Sequence, residues 1–388
     1  MNRMYYCLSC AMLFLACARG DKQDVTRISI DVEESRPISL STLFDEVVYV
    51  PLETRPDVLI GYSSRMRVSG QRLYLLSGGI AIFDLQTGAF LSGMYHPGRG
   101  PGEWLWANDM LIDEEEERVE LLDFRGHKVV RYGFDGRFMD EFKTDFVSAA
   151  FCKHGEKYLF YNANSKSSLT DHRLVRYDPV ASKVEAQYFP IDEHLATYYY
   201  ITDNNNFVEA PELSFHASPS DTIYTIDEDF NVTPRYHVDF KAYQIPPAFF
   251  QGDFQDIKEF IDKVTGLGYP YNMYYAFENE TTVALPFKRG ESFYWAFYDK
   301  KEHRTLPCSS FRDDFHFSHD LTIEGENYTI VADHTHMYFL MPAHQLIDLI
   351  EKENDDFLAR HPEIEAIYHA PGFSEQSNPI LVKCRFKK

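Results

Sequence analysis

Leu73-Tyr-Leu-Leu76, Ile80-Ala-Ile-Phe-Asp84 and Gln86-Thr-Gly-Ala-Phe-Leu91 make one unit of this chain, and Val119-Glu-Leu-Leu-Asp123, Val129-Val-Arg-Tyr132 and Phe134-Asp-Gly-Arg-Phe-Met139 make a second one behind it. Each is a short apolar strand, a polar turn, a second strand leading to Phe-Asp, a glycine turn and a third strand. Apolar runs of this length between Gly, Asn and Asp read as strands. A supersecondary unit repeated in this way cannot bury its apolar faces alone. It predicts copies stacked in a row or set around an axis.

Working outward, an aromatic or Ile residue followed by Asp recurs at Asp84, Asp135, Asp178, Asp227 and Asp299, at intervals of 51, 43, 49 and 72 residues. The first three intervals fit one four-stranded propeller blade each. The fourth is stretched by Pro246 to Gly266, where Phe250, Phe254, Ile257, Phe260, Ile261 and Val264 fall at helical spacing. A second helical insertion is predicted from Ala343 to Arg360, ended by Pro362. The last unit, up to Pro379-Ile-Leu-Val-Lys-Cys-Arg-Phe386, lacks a fourth strand. The orphan β segment Val47 to Glu53 can supply it, closing a ring and removing two open edges. The expected fold is therefore all-β: a six-bladed β-propeller of four-stranded blades, closed by the N-terminal strand joining the C-terminal blade, with two helical insertions. Irregular third and fourth units leave five or seven blades open.

Composition supports a large core packed with broad side chains: 44% of residues are apolar, with 31 Phe and 26 Tyr. A net charge of −22 argues against nucleic acid, which requires clustered Lys and Arg against its phosphates. The first residues read as an address. Asn2-Arg3 precedes an apolar run to Ala16, too short to span a bilayer, and Ala16-Cys17 ends it like a bacterial lipobox. The expected organisation is a signal peptide over 1–16, a lipid-anchored tether over 17–42 with a short strand near Ile28-Ser-Ile-Asp-Val32, and the propeller over 43–388. Cys17 would carry the lipid, placing the protein in the cell envelope on the periplasmic or outer-membrane side. Cys152, Cys308 and Cys384 are odd in number and set in apolar surroundings, and read as small buried hydrophobes.

Phe44-Asp-Glu-Val-Val-Tyr-Val-Pro-Leu-Glu-Thr54, followed by Gly98-Arg-Gly-Pro-Gly-Glu-Trp104, resembles the six-bladed β-propeller lipoproteins of Gram-negative gut bacteria, a family similar in pattern to NHL-repeat propellers. The resemblance runs from Phe44 to Phe386, with Trp104 where Tyr is more usual. It implies an exported, often lipid-anchored propeller and supplies no catalytic residues to carry over.

The candidate site is the loop His96-Pro-Gly-Arg-Gly-Pro-Gly-Glu-Trp104, expected to link the outer strand of one blade to the inner strand of the next. It would present Arg99, Glu103, Trp104 and Trp106 together, a guanidinium beside an indole suited to a carboxylate or a sugar. The same residues could instead form an inter-blade turn, with Arg99 paired to Glu103. Asn108 and Asp109 should begin an inner strand, and with Asp203 to Asn206 they could offer oxygens to calcium in the central channel. His334 and His336 alternate but lack a third ligand. Tyr198 to Tyr200 and Tyr269 to Tyr275 read as strand packing, or as surfaces for stacking on sugars or peptides. There is no Gly-x-Ser-x-Gly elbow and no phosphate-cradling loop. The function expected is a binding module for a glycan, a peptide or an envelope protein, without a cofactor. The alternative is a calcium-dependent hydrolase or lyase with its site in the channel.

Overall fold

The computed structural model describes residues 25–61, 63, 65–199, 206–209, 212–321 and 330–387. The signal segment and Cys17, as well as Asp203 to Asn205, lie outside them. Blade 1 is built from Arg65–Ser69, Arg72–Leu76, Ile80–Asp84 and Phe90–Met94, and blade 2 from Ala107–Asp113, Arg118–Asp123, Lys128–Gly133 and Phe138–Lys143. Blade 3 comprises Ala150–His154, Lys157–Tyr161, His172–Asp178 and Lys183–Pro190; blade 4 comprises Phe207–Glu209, Leu213–Phe215, Thr222–Ile226 and Val232–Asp239. Blade 5 comprises Phe277–Glu278, Thr282–Arg289, Ser292–Asp299 and Arg304–Arg312, and blade 6 comprises Ile330–Ala332, His336–Met341, Ile380–Phe386 and Phe44–Pro51. The first strands of successive blades adjoin one another around a common axis. The protein is a six-bladed β-propeller.

The local chemistry explains the repeat. In four of the blades the Asp that ends the third strand caps the turn into the fourth. Asp84 Oδ1 accepts from the backbone N–H of Gln86 and Thr87, Asp178 from Val180 and Ala181, Asp227 from Asp229 and Asn231, and Asp299 from Lys301 and Glu302. Asp is favoured there because its short carboxylate closes an Asx turn on its own backbone. Alternate strand residues then point into the spaces between blades. Six apolar layers result, one between each neighbouring pair. Each fully buried Leu, Ile or Phe contributes about 1.5–3 kcal/mol.

The ring closes as expected. Phe44–Pro51 pairs antiparallel with Ile380–Phe386, in a register that sets Tyr49 opposite Val382 and Val47 opposite Cys384. The segment before it departs from the expected tether. Thr26–Ser29 lies parallel to the outer strand of blade 4, and Arg36–Ser39 lies parallel to the outer strand of blade 5. Ile28, Ile30, Val32, Ile38 and Leu40 are all buried. Its alternating apolar residues cover two sheet edges that would otherwise stand open.

Within a blade the strands alternate in direction. Loops leaving a second strand or an outer strand therefore emerge on one face. That face carries the 95–106 loop and both insertions. The first insertion holds the helix Ile257–Gly266, capped by the Asp256 side chain on Glu259 N–H, with Phe260 and Val264 buried as the periodicity predicts. The second differs from expectation in being broken: Ala343–Glu351 and Phe357–Arg360 are separate helices, the latter stopping ahead of Pro362 as expected. Pro362 also starts a further helix, Pro362–Tyr368. A proline at the first helical position loses only an N–H that has no intrahelical partner there.

Candidate functional site

The 95–106 loop does link the outer strand of blade 1 to the inner strand of blade 2. It folds back on itself: Trp104 N–H donates to His96 O (3.0 Å), and Gly98 N–H donates to Trp104 O (2.9 Å). This turns the indole inward. Trp104 is 2% exposed, edge-on to the rings of His96 and Tyr132. Glu103 Oε2 accepts from Gly100 N–H (2.7 Å) within the loop. A side chain at Gly98 would fall on that carboxylate. Gly102, at φ +72°, lies so close to the Phe138 ring that a β-carbon there would clash with it. Arg99 is exposed and makes no hydrogen bond or ion pair among the described residues. Trp106 is 54% exposed, with the Arg125 guanidinium 5.0 Å above its ring. Two of the four candidates, Glu103 and Trp104, are thus engaged in building the loop, and two, Arg99 and Trp106, reach the surface.

Asp109 sits on the inner strand of blade 2 and is 1% exposed. Its Oδ1 accepts from Arg65 Nε (3.1 Å) and Arg67 Nη2 (3.0 Å), and its Oδ2 accepts from Phe151 N–H (3.1 Å). Asn108 Nδ2 donates to Ala149 O. The two residues stitch together the inner strands of blades 1, 2 and 3. They do not fit calcium: a divalent cation would have to share one carboxylate with two guanidinium groups, which already neutralise it. Among the described residues no three His, Cys, Asp or Glu side chains gather as a metal site. Asn206 is buried, its Nδ2 donating to His216 O. His334 falls in a turn ahead of the strand that begins at His336, so strand alternation does not apply to the pair.

A cleft of about 200 Å³ opens on the same face, between blades 4 and 5. Three loops build it. Tyr199 comes from the connection after blade 3, Ser218 to Asp221 from the loop between the second and third strands of blade 4, and Phe240 to Met273 from the first insertion. The insertion helix packs Phe260 against Tyr198 and Tyr199 and fixes the aromatic wall. Tyr271 is pinned by paired backbone hydrogen bonds with Lys288 and by its hydroxyl donating to Gly290 O (3.1 Å). Opposite, Asp221 accepts from Gln244 Nε2 (3.3 Å), with His237 Nδ1 3.5 Å away. Asn272 Oδ1 faces the Tyr199 hydroxyl at 3.5 Å. The 216–221 loop is held from behind by Arg173, donating to Ser218 O (2.6 Å), and by His216 Nε2 on Ser220 O (2.8 Å). Burial pulls the His216 pKa down to about 4, with the Arg173 charge in the same direction and the Ser220 carbonyl opposing it. No motif marks this cleft in the sequence, since its parts are spread from Tyr199 to Met273. The one signal was the crowding of Tyr at 198–200 and 269–275.

Six blades around an axis, with their insertions on one face, define the class: a six-bladed β-propeller. Residues 25–385 match the family model described as a domain of unknown function, DUF4934, and the chain belongs to that family. No curated protein matches the sequence. A solved structure from Bacteroides fragilis, described as an exported protein, superposes with a TM-score of 0.73 at 18% identity, covering 94% of this chain and 100% of its own. A DUF4221-family protein of Bacteroides vulgatus superposes at 0.50 with 10% identity, covering 89% of this chain and 97% of its own. Both likenesses concern the fold.

Proposed function

We propose that this protein is an exported, lipid-anchored binding module of the cell envelope, and that the cleft between blades 4 and 5 is where a glycan, a peptide or a partner protein docks. One contrast carries the reading. The channel carboxylate, Asp109, is already satisfied by Arg65, Arg67 and Phe151, whereas the cleft holds aromatic walls and Asp221, which has no Lys or Arg partner among the described residues, on the face that gathers the insertions. Concave apolar sites with a few convergent polar groups are where ligands usually sit. Arg99 and Trp106 add an exposed guanidinium and indole to the same face.

Export is supported by the basic-then-apolar start of the chain and by the description of the Bacteroides fragilis structure. No helix among the described residues is long and apolar enough to cross a membrane. Thr26–Ser29 runs parallel to Val232–Asp239, toward the cleft face, so Thr26 itself lies at the opposite end of blade 4. From a lipid on Cys17, the nine residues to Thr26 could reach about 30 Å at full extension. The cleft would then look away from the membrane.

The test uses the buried state of Cys152, Cys308 and Cys384. A Ser220→Cys variant is labelled with a bulky maleimide and compared with identically treated unmodified protein. A panel of glycans and peptides is screened for ligand-induced rises in Tm. Blocking the cleft should abolish the rise. An undiminished rise in the labelled variant places binding elsewhere and defeats the reading.

A further inference from the structure

We infer that the cleft takes a single neutral sugar ring, the terminal unit of a glycan; this rests on the cleft being the binding site. Size comes first. At about 200 Å³ it lies below the ~300–1,000 Å³ usual for drug-sized ligands, and so suits one ring better than an extended peptide. Charge comes second. Among the described lining residues Asp221 is the sole formally charged side chain, and no Lys or Arg faces the space. A phosphate, sulfate or uronate would meet the Asp221 carboxylate with no Lys or Arg in the lining to hold it.

Hydrogen-bonding character separates a sugar from an amine. Asp221 offers acceptor oxygens. Asn272 turns its Oδ1 to the Tyr199 hydroxyl, and its Nδ2 donor makes no hydrogen bond among the described residues. A pyranose hydroxyl both donates and accepts, so a sugar ring can donate to Asp221 and accept from Asn272. An ammonium group could use Asp221 but would face the Asn272 amide hydrogens donor to donor. The walls complete the match: the rings of Tyr271 and Phe250 supply apolar faces for the C–H face of a pyranose.

The experiment titrates the full chain by calorimetry with three probe sets: neutral oligosaccharides ending in glucose, galactose, mannose or N-acetylglucosamine; sialylated or sulfated versions of the same glycans; and lysine-containing peptides. Saturable binding is expected for at least one neutral glycan, with its acidic version at least about tenfold weaker. Asp221→Asn and Asn272→Gly should each weaken that binding about tenfold, the loss of one good hydrogen bond. The backbone at Asn272 is left-handed, φ +46°, which glycine accepts, so its Tm should stay unchanged. If a lysine peptide binds instead and Asp221→Asn abolishes it, the sugar assignment falls while the cleft stands. If a neutral glycan binds and neither variant weakens it, the cleft itself falls. If no glycan binds, the assignment is overturned.

Discussion

At the scale of single residues, Trp104 shows how a loop decides between display and packing. Two backbone hydrogen bonds fold 96–104 back on itself, and the indole then has nowhere to go but the layer between blades 1 and 2. Trp104→Ala should therefore cost about 3–5 kcal/mol in urea unfolding, as large-to-small core changes do. Arg99→Ala, at an exposed and unpaired position, should stay within about 0.5 kcal/mol. Equal effects of the two changes would mean the loop does not pack as described. Asp109 offers a second contrast. Asp109→Ala takes the shared carboxylate away from the buried Arg65 and the neighbouring Arg67, and breaking a buried pair of this kind costs about 3–5 kcal/mol. A loss below 1 kcal/mol, measured in the same way, would show that water or another acid replaces it.

At the scale of elements, the 216–221 loop couples the cleft wall to pH. His216 is buried, and its pKa in the fold, about 4, lies below its ordinary value of 6.5. The unfolded chain binds the proton more readily than the fold does. The stabilisation is thus complete above pH 6.5 and is lost as pH falls toward 4, by about 3 kcal/mol in all. Unfolding measured between pH 7 and 4 should show that loss in the native protein and a flatter profile in His216→Gln, which can still donate to Ser220 O but does not titrate. Parallel profiles would rule His216 out as the titrating group. Other elements differ in how far the sequence announces them. The Asp-capped turns repeat because each closes its own hairpin from within five residues, so the blades were legible. The short strand near Ile28 was expected, but its docking on blade 4, and Arg36–Ser39 altogether, were read as tether because four-residue strands gain their stability from a distant edge, which no local pattern reveals. Pro362 was read only as a stop, because a proline that ends one helix can equally open the next. The cleft is invisible for the same reason as the outer strands: Tyr199, Asp221 and Asn272 are brought together by three separate loops.

At the scale of the whole molecule, the N-terminal segment works as a belt. It runs along blade 4, then blade 5, and then becomes the outer strand of blade 6, where it pairs with the last strand of the chain. Both ends of the described chain are therefore committed to the ring, and stability should depend on residues that a tether would leave neutral. Ile28 is buried between blades 4 and 5, and Ile38 between blades 5 and 6. Ile28→Ala and Ile38→Ala should each cost about 2–5 kcal/mol, the range for a fully buried isoleucine. Removal of Ile380–Lys388 should go further. It strips the partner from Phe44–Pro51 and from His336–Met341 at once, leaving blade 6 without its middle strand and the ring without a closure. A chain shortened in this way should lose its single cooperative unfolding transition, whereas the two isoleucine variants should keep theirs at a lower midpoint. Circular dichroism melts of the three proteins decide the matter. Unchanged midpoints for Ile28→Ala and Ile38→Ala would return the segment to the role of a tether, and a cooperative melt from the shortened chain would show that the ring does not need its two ends joined.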